Sequence, residues 1–254
     1  AREQITVSIC DLQGSVIVRE TERRLFETCR EQLDTIAELH KSVLSNVPPS
    51  AIMVSAAATA TGFFLESGQK LISRVDPLGW SKVNLRDWLQ ELTGVEVIIE
   101  NDARVVAADI LDTSPYLDFL VVFLDYGIGG AIVQNGQIVR GKHGNAGAIG
   151  RLFPHDSARP TSQSLRAELG VDDWRFWRSS SQLSSKQSQA LEAWFDSASY
   201  RFNYALTAAL ALLDFEAVYI CSQIPEEYLQ ELTKRIHIEP LGANIPLKEG
   251  AMVD

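Results

Sequence analysis

A chain of 254 residues, 46% of them apolar, is long enough for one large or two ordinary packed domains, and it reads as globular. Its 33 acidic against 23 basic residues leave a net charge of −10, which repels a phosphate backbone unless a basic patch is set apart, and no such cluster is visible. No apolar run reaches the roughly 18 residues of a membrane span, and charges at Arg2, Glu3, Asp11, Arg19 and Glu20 exclude a signal peptide, so a cytoplasmic home with no membrane partner is the expectation.

Residues 4–10 alternate and are rich in β-branched side chains, Asp11 to Gly14 supply turn residues, and 15–19 run apolar again, which predicts a β-hairpin. From 21 to 46, Leu25, Cys29, Leu33, Ile36, His40 and Val43 recur at helical steps until Pro48 and Pro49 stop them, which predicts a long amphipathic helix. Residues 51–57 form a short apolar run that suits a buried strand, followed by an irregular stretch through Gly62, Gly68, Pro77 and Gly79. Asn84 suits the cap of a helix over 85–92 that Gly94 ends; a strand over 95–100 and a helix over 102–111 follow. Strands alternating with helices argue for a layered α/β domain.

A second set of strands begins at Asp118, passes a glycine-rich turn at 127–130 and returns through Asn135-Gly136, the strongest short-range hairpin signal in the chain. The expected domains are therefore 1–112 and 113–254. Residues 153–190 read as a long irregular excursion with one short helix, in which Trp174, Phe176 and Trp177 pack locally, over a cleft or against a partner subunit. A helix over 189–213, a strand over 217–221 and a helix over 225–236, opened by Pro225, complete the chain. Cys10, Cys29 and Cys221 are odd in number and widely separated, which fits reduced interior thiols better than disulfides or a metal cage.

Three stretches, in order, resemble motifs of the ROK family of bacterial sugar kinases and repressors, with 78–151 matching well and the rest more loosely. The first is Leu78-Gly79-Trp80, then Asn84-Leu85, then Val97 to Ala103, ending Glu100-Asn101-Asp102-Ala103. From the residues alone, Asp102 caps the following helix and favours its N-terminal dipole. The resemblance instead puts Asp102 at the family's catalytic base, where Asn101 and Asp102 would face sugar hydroxyls; the two roles can coexist. The second stretch, Leu124 to Ala131, is similar to the family's second phosphate loop in the form its repressors show, which makes Gly129 and Gly130 ligand contacts; the alternative is a tight turn with no ligand.

The third stretch, Gly141-Lys142-His143-Gly144-Asn145-Ala146-Gly147-Ala148-Ile149-Gly150-Arg151, offers Asn145 as a further contact and departs from the family twice. Ala148 stands where the family's sugar-holding glutamate would be, and Arg151 replaces a histidine that would hold sugar and zinc. Losing the carboxylate weakens a pyranose site. Arg151 offers a planar donor fork for a carboxylate or phosphate, unless it is a surface salt-bridge residue.

Residues 152–190 contain no cysteine, so the family's zinc motif is missing and no metal is expected; His143 and His155 read as surface residues. The chain opens at what resembles the family's second strand, so the N-terminal domain is expected to lack its first strand and phosphate hairpin. Tyr219-Ile220-Cys221-Ser222-Gln223 stands in place of a Gly-Gly turn for adenosine. The resemblance thus implies an actin-like, ribonuclease-H-like α/β ATPase fold of two domains with an interdomain cleft. The expected function is the ligand-sensing portion of a ROK transcriptional regulator that binds a sugar or phosphosugar effector without a cofactor and without kinase activity. DNA would be met only through an N-terminal winged-helix module that these residues lack, and the C-terminal domain would build a homodimer or homotetramer. The alternative is a ROK sugar kinase that phosphorylates hexoses from ATP with Asp102 as catalytic base; a third possibility is a scaffold whose cleft is vestigial.

Overall fold

The computed structural model describes residues 4–60, 62–65, 70–72, 80, 83–156, 158–171, 182–238 and 245–250. Gly68, Pro77, Leu78 and Gly79, and the aromatic group Trp174, Phe176 and Trp177, lie outside the described residues.

The chain divides into two units, Ala1–Asn101 and Asp102–Asp254. In the first, β1 (Gln4–Cys10) and β2 (Val16–Arg23) pair antiparallel, from Gln4 opposite Arg23 to Cys10 opposite Val16. Asp11 closes the turn between them: its Oδ1 accepts from the backbone N–H of Gln13 at 2.8 Å and of Ser15 at 2.9 Å. Because residues up to Arg23 are used in pairing with β1, helix α1 spans Cys29–Ser45 instead of starting at 21, and Thr28 caps it by accepting from Glu31 N–H. Cys10 is exposed at the strand end, which corrects the expectation of three interior thiols; Cys29 and Cys221 are buried.

The next strand also lies later than expected. Ile52 and Val54 are exposed, and β3 is the alanine-rich run Ala56–Ala60, paired parallel with β6 (Val97–Asn101). Ala56, Ala58 and Ala60 share a cluster with Val97 of β6, Cys29 and Leu33 of α1, and Leu85 and Leu89 of α2 (Leu85–Thr93). Small side chains on β3 let the helices approach the strands closely. Asn84 and Gly94 delimit α2 as read: the Asn84 side chain accepts from Asp87 N–H, and Gly94 takes the left-handed conformation at φ 73°. β4 (Phe63–Leu65) and β5 (Lys70–Ile72) form a separate antiparallel pair.

The second unit opens with α3 (Asp102–Thr113) and is built on a five-stranded sheet. Its strands are β7 (Phe119–Leu124), β8 (Ile128–Gln134), β9 (Gln137–Ile138), β10 (Ala217–Ser222) and β11 (Leu247–Gly250), in the order β11-β10-β7-β8-β9. Asn135 and Gly136, at φ 51° and 66°, make the β8–β9 turn as the sequence predicts. β7 and β10 pair parallel and are buried along their whole length, because both faces are covered. Phe119, Val121 and Phe123 face one cluster with Ala103, Val106, Ala107 and Ile110 of α3. That packing assigns α3 to this unit, so the division falls after Asn101 and not after 112.

Leu120, Val122 and Leu124 face the opposite cluster, built on the long helix α5 (Ser185–Leu213) with α4 (Ser162–Leu169) and α6 (Glu226–Arg235). Phe202 of α5 is fully buried and meets Phe153 edge to face at 5.0 Å, the kind of side chain whose burial contributes about 1.5–3 kcal/mol. α5 begins at Ser185, before the expected 189, because Ser184 and Gln187 form a reciprocal capping box. Pro225 serves as the cap of α6 and stands just outside it.

Candidate functional site

The side chain on which the sequence reading concentrates stands where β6 ends and α3 begins. Asp102 is the first residue of α3, and its Oδ1 accepts from Ala103 N–H at 2.8 Å, satisfying one of the N–H groups left open at a helix start. Burial pushes the Asp102 carboxyl up to about 6; the Ala103 bond opposes that rise, and the negative charge of Asp125 adds to it. A helix cap alone would hold a carboxyl low. A carboxyl that burial raises toward neutrality is the kind of group found where hydrogen bonds or protons are exchanged with a bound molecule.

Gly129 lies over this carboxyl. A methyl group on Gly129 would sit 4.0 Å from Asp102 Oδ1 and 3.7 Å from the Cβ atoms of Ala103 and Phe123, so its absence keeps space beside the acid. Gly130 does a different job. A methyl there would stand 2.6 Å from Ile149 Cγ2, 2.7 Å from the Val121 carbonyl oxygen and 2.8 Å from that of Gly147. Its bareness is demanded by packing: the segment carrying Gly147 and Ile149 lies directly on β8.

That segment is also tied to α3. Arg104, only 3% exposed, donates from Nη1 to the Gly144 carbonyl at 2.6 Å, so the helix that carries Asp102 is joined to the loop that carries Asn145. Arg159 holds the far end, donating to the carbonyls of Gly150 at 2.7 Å and Phe153 at 2.8 Å around a short 3-10 turn, Ile149–Leu152. Asn145 is half-buried, and its Nδ2 donates to the His143 carbonyl at 3.2 Å. Ala148 is half-buried in the same loop, and Arg151 is exposed on the 3-10 turn. Asn101 closes β6 directly before Asp102, with its backbone N–H donating to Glu100 Oε1 at 2.7 Å. Arg104 and Arg159 were not singled out by the sequence reading, since a charged residue on an amphipathic helix or in a polar loop ordinarily reads as solvated.

The Asp125 backbone is fixed by two neighbours: its N–H donates to Gly127 O and its carbonyl accepts from Ser162 N–H, each at 2.9 Å. At the end of β10, the Ser222 hydroxyl donates to the Leu124 carbonyl at 2.6 Å and accepts from Ile224 N–H at 3.1 Å. Tyr219, Ile220, Cys221 and Ser222 are thus built into the buried sheet. His143 and His155 are exposed, and among the described residues no three His, Cys, Asp or Glu side chains gather around a common metal position.

Comparison with known proteins sets this geometry in context. The family model described as the ROK family matches residues 2–162. A β-glucoside kinase of Listeria monocytogenes is 37% identical over 131 residues, a match that spans 49% of this chain and only 41% of that relative. Among solved structures, the Lmo2764 protein of Listeria monocytogenes superposes with a TM-score of 0.69 at 18% identity, over 98% of this chain and 90% of that one. A ROK family transcriptional regulator, a homologue of the Escherichia coli MLC protein, superposes with a TM-score of 0.67 at 18% identity, over 98% of this chain and 71% of that one. The shared fold is the actin-like, ribonuclease-H-like ATPase class. Kinases and a regulator alike carry it, so the fold does not choose between them.

Proposed function

Since the chain belongs to the ROK family, we propose that it is a ligand-sensing member, which binds a sugar or sugar-derived effector beside Asp102 and does not phosphorylate it. The observation that carries this reading is the pairing of a desolvated Asp102 carboxyl, raised to about 6 beside the bare backbone of Gly129, with an alanine at 148. At neutral pH this acid is mainly the carboxylate, whose two oxygens accept from hydroxyl groups. Ala148 offers no acceptor to share the load, and the buried, side-chain-bearing end of β10 leaves little room for the backbone approach a nucleotide requires.

Asn101, Gly129, Asn145 and Arg151 are the further contacts of this reading. Arg151, with a guanidinium on an exposed turn, favours an effector that carries a carboxylate or phosphate. The net charge of −10 opposes direct contact between these residues and DNA, so sensing, not operator reading, is the role assigned to them.

A second reading, a hexose or glucoside kinase, is favoured by the 37% identity to a β-glucoside kinase and by an Asp102 poised to accept a hydroxyl proton. Titration calorimetry with neutral hexoses, β-glucosides and their phosphates, run beside a coupled ADP-release assay on the same panel, separates the two. Saturable sugar or phosphosugar binding without ADP release is expected. Sugar-dependent ADP release abolished by Asp102→Asn would replace the sensing reading with the kinase one.

A further inference from the structure

One member of the apolar stripe of α1 is not apolar. His40 follows Leu33 and Ile36 and precedes Val43 at helical steps, and Leu33 and Val43 are buried. His40 itself is half-buried, yet its Nε2 is enclosed and, among the described residues, has no hydrogen-bond partner. Buried ring nitrogens are ordinarily paired, and an unpaired one on a helix that packs on β1 and β2 is costly to charge.

No acid on α1 or on the elements packed against it answers that nitrogen. One turn away on α1 stand Ile36, Ala37, Val43 and Leu44, while Glu38 and Lys41 are exposed. β1 and β3 carry no charged residue. On β2, Glu20 accepts from the Ser42 hydroxyl at 2.7 Å, Glu22 lies 3.7 Å from Arg24, and Arg19 and Arg23 are exposed. On α2 and β6, Arg86 donates to the Val97 carbonyl, Asp87 accepts from Asn84, Glu91 is exposed, and Glu100 accepts from Asn101 N–H.

An imidazolium carries hydrogen on both ring nitrogens, so taking up a proton leaves an N–H at Nε2 beside no acceptor, whichever tautomer the neutral ring holds. The charged ring recovers a partner only by reaching water, which requires α1 to lift from the strands it covers. We propose that His40 is an acid-sensitive latch: neutral, it lets α1 seat on the strands beneath it, and protonated, it releases the helix. Burial holds the imidazole below its usual 6.5, so the folded chain binds fewer protons here than the unfolded one; the stability it gives is fully present above that pH and is lost as pH falls. Asp102 answers acid in the opposite sense, since burial raises it to about 6, so α3 is not loosened over the same interval. The latch lies outside the proposed ligand contacts and stands whether or not the ligand reading does.

Amide hydrogen exchange at pH 7.5 and 5.5, corrected for the intrinsic effect of pH, tests the latch. Opening of 36–45 is expected to rise about tenfold in the parent at the lower pH, the factor by which protonation of an ordinary imidazole favours the open form. In His40→Gln, which stays polar and takes no proton, the same amides change little, and α3 shows no such rise in either protein. Imidazole NMR on the parent reads the group without any variant, and His40 is expected to titrate below 6.5. A His40 that titrates at 6.5 or above, or an α1 whose acid response is the same in His40→Gln or is shared by α3, overturns the proposal.

Discussion

Replacing Asp102 by Asn removes a charge and keeps an oxygen that can accept from Ala103 N–H, so the variant isolates the electrostatic part of the site. Burial raises the carboxyl from an ordinary 3.8 to about 6, which corresponds to a cost of about 3 kcal/mol for holding the charged form in the folded protein. Part of the residue remains accessible, so about 2 kcal/mol is the working figure. The folded state keeps this proton where the unfolded chain has released it, so between pH 3.8 and about 6 the native protein binds more protons and its stability falls as pH rises. Above that window the loss is complete; below it, none has occurred.

Asp102→Asn is therefore expected to match the parent near pH 4 and to exceed it at pH 7.5, raising the melting temperature by roughly 4–8 °C at the higher pH. It should at the same time weaken effector binding by about tenfold or more, because a charged carboxylate with two acceptor oxygens is replaced by a neutral amide with one. Urea unfolding of both proteins at half-unit steps from pH 4 to pH 8 measures the first effect, and titration calorimetry the second. Two stability curves that run parallel across the whole pH range would refute the reasoning, since an acid whose burial costs nothing is not desolvated.

The two neighbouring glycines should separate cleanly. Gly130→Ala drives a methyl into two backbone oxygens and Ile149, and should destabilise by about 1–3 kcal/mol in urea unfolding. Gly129→Ala meets only ordinary contacts and should leave stability within about 1 kcal/mol of the parent, while calorimetry shows weaker effector binding as its methyl crowds Asp102. Arg104→Met leaves the Gly144 carbonyl without this donor and should cost about 1–3 kcal/mol, with faster amide hydrogen exchange concentrated in 141–148. Arg235, which binds Glu192 and Glu231 at 2.7 Å, Asp196 at 3.1 Å and the Phe195 ring at 4.9 Å, ties α6 to α5. Arg235→Ala should cost about 1–2 kcal/mol at low salt and less in 1 M NaCl.

Elements whose signals are local were legible in the sequence. Asn84 with Gly94, Asn135 with Gly136, and the unbroken apolar runs of β7 and β10 each act within a few residues, and each element lies where it was read. The start of α1 was misread because Leu25 continues the helical step back from Cys29, whereas residues 20–23 are taken by strand pairing with β1, a partner some fifteen residues away that periodicity does not report. Likewise Ile52 and Val54 look more like a buried strand than the alanines that form one. What decides is how closely α1 and α2 can approach, and that depends on other segments.

The site divides along the same line. Motif resemblance points to Asp102 and Gly129 as candidates because the signal of each lies in its own position beside a turn. The roles of Arg104 and Gly130 could not be read this way, since the first is set by a carbonyl forty residues further on and the second by atoms of Val121, Gly147 and Ile149. Those two residues tie α3, β8 and the loop at 141–148 together: Arg104 through its bond to the Gly144 carbonyl, Gly130 through its close approach to Gly147 and Ile149. If an effector bound beside Asp102 shifts the loop at 141–148, the Arg104–Gly144 bond and the Gly130–Gly147 contact are the points where the shift must be transmitted or resisted. A ligand can move such a loop only by as much as it prefers one of its positions. The tight packing at Gly130 favours small, discrete displacements over gradual ones.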